Sequence, residues 1–323
     1  MSIDTKDITE TITKSKPNAK ANTIKQYEAQ LLRLKKMFDS DNYNFLSKPK
    51  DIEEKFKDKA FTTTRNTYNA IIVLLNALNS ENKYDDLIKE YGDMRDVLND
   101  RYIEENKTGV ISDKQAPNFV ELSEIEGMLS KMEKDMKDNN VKTKSKLTSS
   151  DKQLLTAYTI YKMLVSIPTR NDFADLIYIN KAQYNKLSDK EKVDNNYLVK
   201  AKNKMFFVYN NYKTSKKYAE KTIDVPKDLK KILNTYITIM NRTYNEPFFV
   251  SGTGNKLSRN MATQLLLRMS KKYLDKNIST TMVRKSVASH HFADIKKQQK
   301  ELADKMGHDV GTQNLVYVKE KQV

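Results

Sequence analysis

The sequence predicts a mainly α-helical protein with a small antiparallel β-sheet, arranged in two domains. Three observations carry this. Apolar residues recur at helical spacing through most of the chain. Short β-branched and aromatic runs cluster between residues 176 and 225. At 323 residues the chain is long enough for two cores, and the charged stretch 106–118, with Gly109 and Pro117, offers a linker between them.

Residues 1–20 are polar and are expected to be a flexible terminus. A helical domain is expected over 21–105. Its first helix places Ile24, Tyr27, Leu31, Leu34 and Phe38 on one face, with Asn22 or Thr23 as cap. A short helix follows over 51–57. Tyr68, Ile71, Ile72, Leu75 and Leu78 then line a third, and Leu87, Ile88, Tyr91, Met94 and Leu98 a fourth. The second domain is expected over 119–323. Ser123-Glu-Ile-Glu126 reads as a capping box, and Ser150-Asp151 caps the next helix, with Leu154, Leu155, Tyr158, Tyr161 and Leu164 inward. Strand candidates are 176–179, 197–201, 205–210 and 221–225. Pro226 opens a helix, and Ser258–Leu274 is another. Ser279-Thr280 caps the helix that carries Arg284, and a separate helix over 296–306 ends at Gly307.

Composition narrows the function. The net charge of +16 and a pI near 9.5 suit a polyanionic partner, most commonly nucleic acid. A lysine- and asparagine-rich genome bias explains much of that charge equally well. There is no cysteine, so disulfides and thiolate metal sites are excluded and no secretory context is implied. No run approaches the roughly 20 apolar residues of a spanning helix, and residues 1–6 lack the apolar core of a signal peptide; an intracellular protein is expected, with no membrane partner. Three histidines, His290, His291 and His308, leave little material for a metal site. With seven glycines and no phosphate-cradling loop, a nucleotide-dependent ATPase is disfavoured. No metal or cofactor is expected.

Chemistry-bearing residues concentrate near the C-terminus. Arg284 offers a planar fork for phosphate oxygens. His308 can donate to the same group or move a proton. Tyr317, nine positions after His308, is a candidate covalent nucleophile. Upstream, Arg170 follows an apolar helix and a Pro-containing turn, with Asp172 and Asp175 nearby. Lys213, Lys216 and Lys217 crowd one loop between strand candidates.

Thr281-Met-Val-Arg284, Met306-Gly-His308 and Tyr317 resemble the C-terminal signature of the tyrosine recombinase (phage-integrase-like) family, which reads His-x-x-Arg, Leu-Gly-His and a tyrosine nine residues on. Thr281 stands where the first histidine is usual, and Lys285 replaces a histidine often found after the arginine. The resemblance covers roughly residues 20–320. It implies an N-terminal helical core-binding (SAM-like) domain followed by an α+β catalytic domain. It implies Tyr317 as nucleophile, Arg170 and Arg284 on the scissile phosphate, and His308 as a phosphate donor. It implies Lys213 as general acid, with Lys216 and Lys217 as close alternatives. Asp172, slightly preferred over Asp175, would buttress Arg170, and Thr281 and Lys285 are possible supporting residues. Lys25, Arg33, Lys36, Arg65, Lys83, Lys216 and Lys217 are candidate DNA contacts; a solvated helix face explains any one of the first five as well, and the lysine-rich loop at 213–217 can equally be one that merely meets the DNA backbone. The implied partner is double-stranded DNA, bound by a homotetramer on paired sites. Other readings are a type IB topoisomerase-like nicking and resealing enzyme, a non-catalytic DNA-binding protein of the same fold, and a basic helical scaffold.

Overall fold

The computed structural model describes residue 3 and residues 7–107, 109–113 and 115–319, without the side chain of Lys216. The chain divides into two compact units, Met1–Val110 and Ile111–Val323.

The first unit is all helical: α1 (Ile8–Ser15), α2 (Ala21–Met37), α3 (Pro49–Phe56), α4 (Phe61–Leu78) and α5 (Asp85–Lys107). Helix α4 packs against α1, α2 and α5. Its Tyr68, Ala70, Ile71, Leu74 and Leu75 are buried, which is why it forms the middle of the unit. Tyr91 of α5 is fully buried against Tyr68, and its hydroxyl donates to the Leu46 carbonyl at 2.8 Å. Two expectations need correction. The stretch 8–15 is not a flexible tail: Ile8 and Ile12, one turn apart, are buried in the core, and Asp7 caps the helix by accepting from the Glu10 amide at 2.9 Å. Two apolar residues make too short a stripe to stand out in a polar stretch. Helix α2 starts after Lys20 with no side-chain cap, so neither Asn22 nor Thr23 caps it.

The second unit begins with α6 (Leu122–Asp138) and α7 (Ser149–Ser166). Both start earlier than their polar residues suggest. Glu124 accepts from the Glu121 amide at 2.9 Å. Thr148 and Asp151 cap reciprocally, with Asp151 N donating to Thr148 Oγ1 at 3.1 Å. Helix α7 is the core helix. Its Tyr161 hydroxyl bonds the Leu266 carbonyl at 2.8 Å and the Ile278 carbonyl at 3.2 Å.

The sheet contains β1 (Leu176–Asn180), β2 (Asn196–Lys200), β3 (Met205–Tyr209), β4 (Lys221–Asp224) and β5 (Glu246–Pro247), in the order β4-β3-β2-β1-β5. It is mixed, not purely antiparallel, because β1 and β2 run parallel. Two short helices, α8 (Lys181–Lys186) and α9 (Asp189–Asp194), lie between them and carry the chain back before β2 begins; a parallel pair needs such a crossover. The β3–β4 loop holds one helical turn, α10 (Ser215–Tyr218). Helices α11 (Lys227–Ile239), α12 (Arg259–Leu274), α13 (Thr280–Met306) and the short α14 (Val310–Thr312) complete the unit, with a π-turn over Gln313–Tyr317. Helix α13 is one continuous element and not two. No proline or glycine interrupts 281–306, so nothing breaks it until Gly307 at φ 72°.

Candidate active site

A cleft of about 640 Å³ opens at the C-terminal end of α7. It is lined by Pro168, Arg170, Asp172, Tyr212, Lys221 and Arg284, among others. Two sequence-distant arginines thus share one cavity. Local structure explains how. Pro168 ends α7, since it cannot donate to the helix. Arg170 then starts a 3₁₀ turn, Asn171–Asp175. Ser279 caps α13 by accepting from the Met282 amide, and Met282, Val283, Ser286 and Val287 bury one face of its first turns. Asn171 ties the two segments together: its Nδ2 donates to Thr263 at 2.8 Å, and its Oδ1 accepts from the Thr280 hydroxyl.

Arg284 Nε donates to the Pro168 carbonyl at 3.0 Å, which fixes the guanidinium over the turn that carries Arg170. Burial lowers the Arg284 pKa from its ordinary value, the positive charge of Arg170 lowers it further, and Asp172 opposes both. Two like charges held together gain from an anion between them. Beneath the cleft, Tyr209 is buried; burial pushes its phenol upward, with Thr169 in partial offset.

Asp172 is buried and forms an ion pair with Arg259 at 3.0 Å. Arg259 also holds Asp175 at 2.6 Å, and Lys256 approaches Asp175 at 3.5 Å. The sequence reading did not single out Arg259. A signal was present: a cation in the first turn of a helix opposes the helix dipole and calls for a carboxylate partner. Lys221 also lines the cleft, and the sequence marks it only as part of a strand candidate.

Lys213 is exposed and is not among the cleft-lining residues, although Tyr212 and Thr214 on either side of it are. Lys217 lies over the Tyr218 ring at 5.2 Å. The side chain of Lys216 lies outside the described residues.

His308 and Tyr317 form a second pair. Gly307 closes α13 and turns the chain, and His308 Nδ1 lies 3.2 Å from the Asp309 carbonyl. The His308 and Tyr317 rings stack at 4.9 Å and 10°. His308 Nε2 is buried with no hydrogen-bond partner among the described residues. Tyr317 is 55 % exposed. Neither residue lines the arginine cleft. Thr281 is exposed in the first turn of α13, and Lys285 donates to Gln115 Oε1. Tyr273 is engaged elsewhere: its hydroxyl donates to Asp135 at 2.6 Å, and burial raises its pKa.

In the first unit Lys25 and Lys36 are exposed. Arg33 lies over the Phe56 ring at 5.5 Å, Arg65 over Tyr102 at 4.6 Å and Lys83 over Tyr84 at 5.2 Å, so these three cations already contact protein. No group of three or more His, Cys, Asp or Glu side chains that could hold a metal occurs among the described residues. No described helix is long and apolar enough to cross a membrane.

No family model matches the sequence, and no curated protein matches it. Among solved structures, the chain is similar to the XerA recombinase, at 13% identity and TM-score 0.35, over 97% of this chain and 94% of that one. It is similar to the XerH site-specific recombinase bound to difH substrate in a pre-cleavage complex, at 12% identity and TM-score 0.47, over 95% of this chain and 80% of that one. It is also similar to XerH bound to a palindromic difH substrate in a post-cleavage complex, at 13% identity and TM-score 0.49, over 98% of this chain and 81% of that one.

Proposed function

We propose that the protein is a site-specific DNA recombinase of the tyrosine class, working inside the cell on double-stranded DNA. The carrying observation is the shared cleft of Arg170 and Arg284, with Arg284 fixed by the Pro168 carbonyl. Two clustered guanidiniums suit a phosphate whose non-bridging oxygens gain charge in the transition state. Tyr317 Oη attacks phosphorus and the P–O5′ bond breaks, leaving a 3′-phosphotyrosyl link and a free 5′ hydroxyl. The phenolic proton passes to solvent. A lysine supplies the proton taken by O5′; the family pattern assigns Lys213, and the cleft itself offers Lys221. His308 donates to the phosphate from the nitrogen that now lacks a partner. Asp172, clamped by Arg259, partly offsets the burial and the Arg170 charge that lower the Arg284 pKa. The covalent link conserves the bond energy, so rejoining to a new 5′ hydroxyl needs no nucleotide, and four copies on two paired sites complete an exchange.

Incubation with a nicked suicide duplex tests this. Cleavage next to the nick releases a short 5′-hydroxyl fragment, so rejoining fails and the adduct accumulates. A denaturant-resistant protein–DNA adduct mapping to Tyr317 is expected; its absence, with duplex binding intact, leaves only a DNA-binding protein.

A further inference from the structure

A second basic cavity lies in the same unit, away from the arginine cleft. Its volume is about 510 Å³, and it is lined by Lys142, Lys144, Lys146, Lys152, Asn241 and Arg242 among others. These come from the α6–α7 loop, the first turn of α7 and the turn after α11. The arginine cleft begins at Ile167, beyond the other end of α7. At 1.5 Å of rise per residue, Lys152 and Ile167 stand about 22 Å apart along the helix.

Lysines are common on this surface, so their number alone decides little. Arg242 sets the cavity apart. Its side chain is only 11% exposed. One amino group donates to Glu246 at 2.8 Å and to the Pro247 carbonyl at 2.9 Å, which holds the guanidinium in place. Its Nε is buried with no acceptor among the described residues. The guanidinium thus lines the cavity from a fixed position, with hydrogen-bonding capacity left unused. Lys144 pairs with Asp151 at 2.9 Å. Lys142, Lys146 and Lys152 have no carboxylate partner among the described residues. The cations therefore exceed the carboxylates that face them. The carbonyl end of α11 adds partial negative charge at Thr238 to Asn241, and the three lysines left without a carboxylate outweigh it.

We propose that this cavity is a phosphate-binding site, separate from the arginine cleft. Several lysines on flexible stems around one planar guanidinium suit tetrahedral, multiply charged groups better than a single carboxylate. The phosphates come either from a nucleic-acid backbone or from a free polyphosphate. This assignment does not depend on whether the protein cuts DNA.

The test uses the full chain with Tyr317→Phe, so that covalent chemistry does not intrude. A triple variant, Lys142→Gln, Lys146→Gln and Lys152→Gln, is compared with a charge-matched control, Lys190→Gln, Lys227→Gln and Lys231→Gln. Thermal melting establishes that both fold. Tripolyphosphate binding is measured by calorimetry, and binding to a random duplex is measured over a range of salt. The cavity variant should lose at least tenfold in tripolyphosphate affinity, while the control stays within about twofold of the parent. If the site takes backbone phosphates, the slope of log K against log salt also falls by nearly three in the cavity variant, at about 0.9 per phosphate contact, and by less in the control. If the site takes a free polyphosphate, the cavity variant and the control share one duplex slope. Tripolyphosphate affinity equal in the two variants overturns the assignment, whatever the duplex does.

Discussion

The two arginines and the histidine–tyrosine pair are built in opposite ways. Arg170 and Arg284 sit where the core sets their positions. The α7 end, the turn 171–175 and the start of α13 are bonded to one another through Asn171, Thr280 and the Pro168 carbonyl. His308 and Tyr317 sit past the Gly307 cap, on a stretch whose Leu315, Val316, Tyr317 and Val318 are all exposed. Their geometry rests on a ring stack and a short capped turn. The two-arginine cleft is preset, while Tyr317 rides on a lightly held segment. In the proposed reaction, such a division would let DNA be gripped before the tyrosine is committed.

The sharpest break of this comparison is chemical. Tyr317→Phe removes the proposed nucleophile and should bring adduct formation to background, with duplex affinity within about twofold of the parent by gel shift. Adduct that persists moves the nucleophile elsewhere. Tyr273 is a poor substitute, because its phenol is bonded to Asp135 and raised in pKa. Next in size, Arg284→Ala should slow single-turnover cleavage by about 10²–10³-fold, the scale of losing one transition-state donor. It also removes the bond to Pro168, so a conservative Arg284→Lys variant belongs beside it. Lysine restores charge but not the fork, and recovers only part of the rate if the fork is what counts.

A smaller effect tests the preset half alone. Tyr161 never meets the cleft lining, yet its hydroxyl holds the carbonyls of Leu266 and Ile278, the second just before α13. Tyr161→Phe takes this donor from the Ile278 carbonyl, while the Leu266 carbonyl keeps its partner within α12, and should cost about 1–3 kcal/mol of stability in urea. Cleavage by the folded fraction should fall only a few-fold. A loss as large as that of Arg284→Ala would mean the seat of α13 is itself part of the chemistry.

Much of this architecture can be read in the residues, and its gaps have physical reasons. Helices show because a stripe such as Leu154, Leu155, Tyr158 and Tyr161 repeats at the helical period. The Gly307 cap shows because a positive φ asks for glycine. The parallel pairing of β1 with β2 does not show: the crossover 181–194 is polar and built from helices only six residues long. Ile8 and Ile12 do not show, because two residues are no pattern. For the site, the arginines are visible as residues, but their common cleft is a tertiary fact. Arg259 pairs with carboxylates more than eighty positions away, beyond the reach of any local rule. Lys221 faces the cleft because of strand register, which a one-residue slip reverses.

The mildest prediction concerns the exposed half. Asp309 caps the turn before Tyr317, accepting from the Thr312 amide at 3.0 Å and from its hydroxyl at 2.8 Å. The Thr312 amide bond is the main cause holding the Asp309 pKa below its ordinary 3.8, with the hydroxyl bond next. A carboxyl depressed by folding stabilises the folded form above its unfolded value, and that contribution drains away as pH falls through the folded value. The Thr312 amide should therefore keep its exchange protection from pH 7 to about pH 5 and lose it in the window below 3.8. In Asp309→Asn the same amide should show no such acid step. The Asn171 side-chain amide, bonded only to neutral groups, serves as the reference. Parallel loss at both sites would mean that acid unfolds the whole unit together, and that the tyrosine segment is no looser than the arginine cleft.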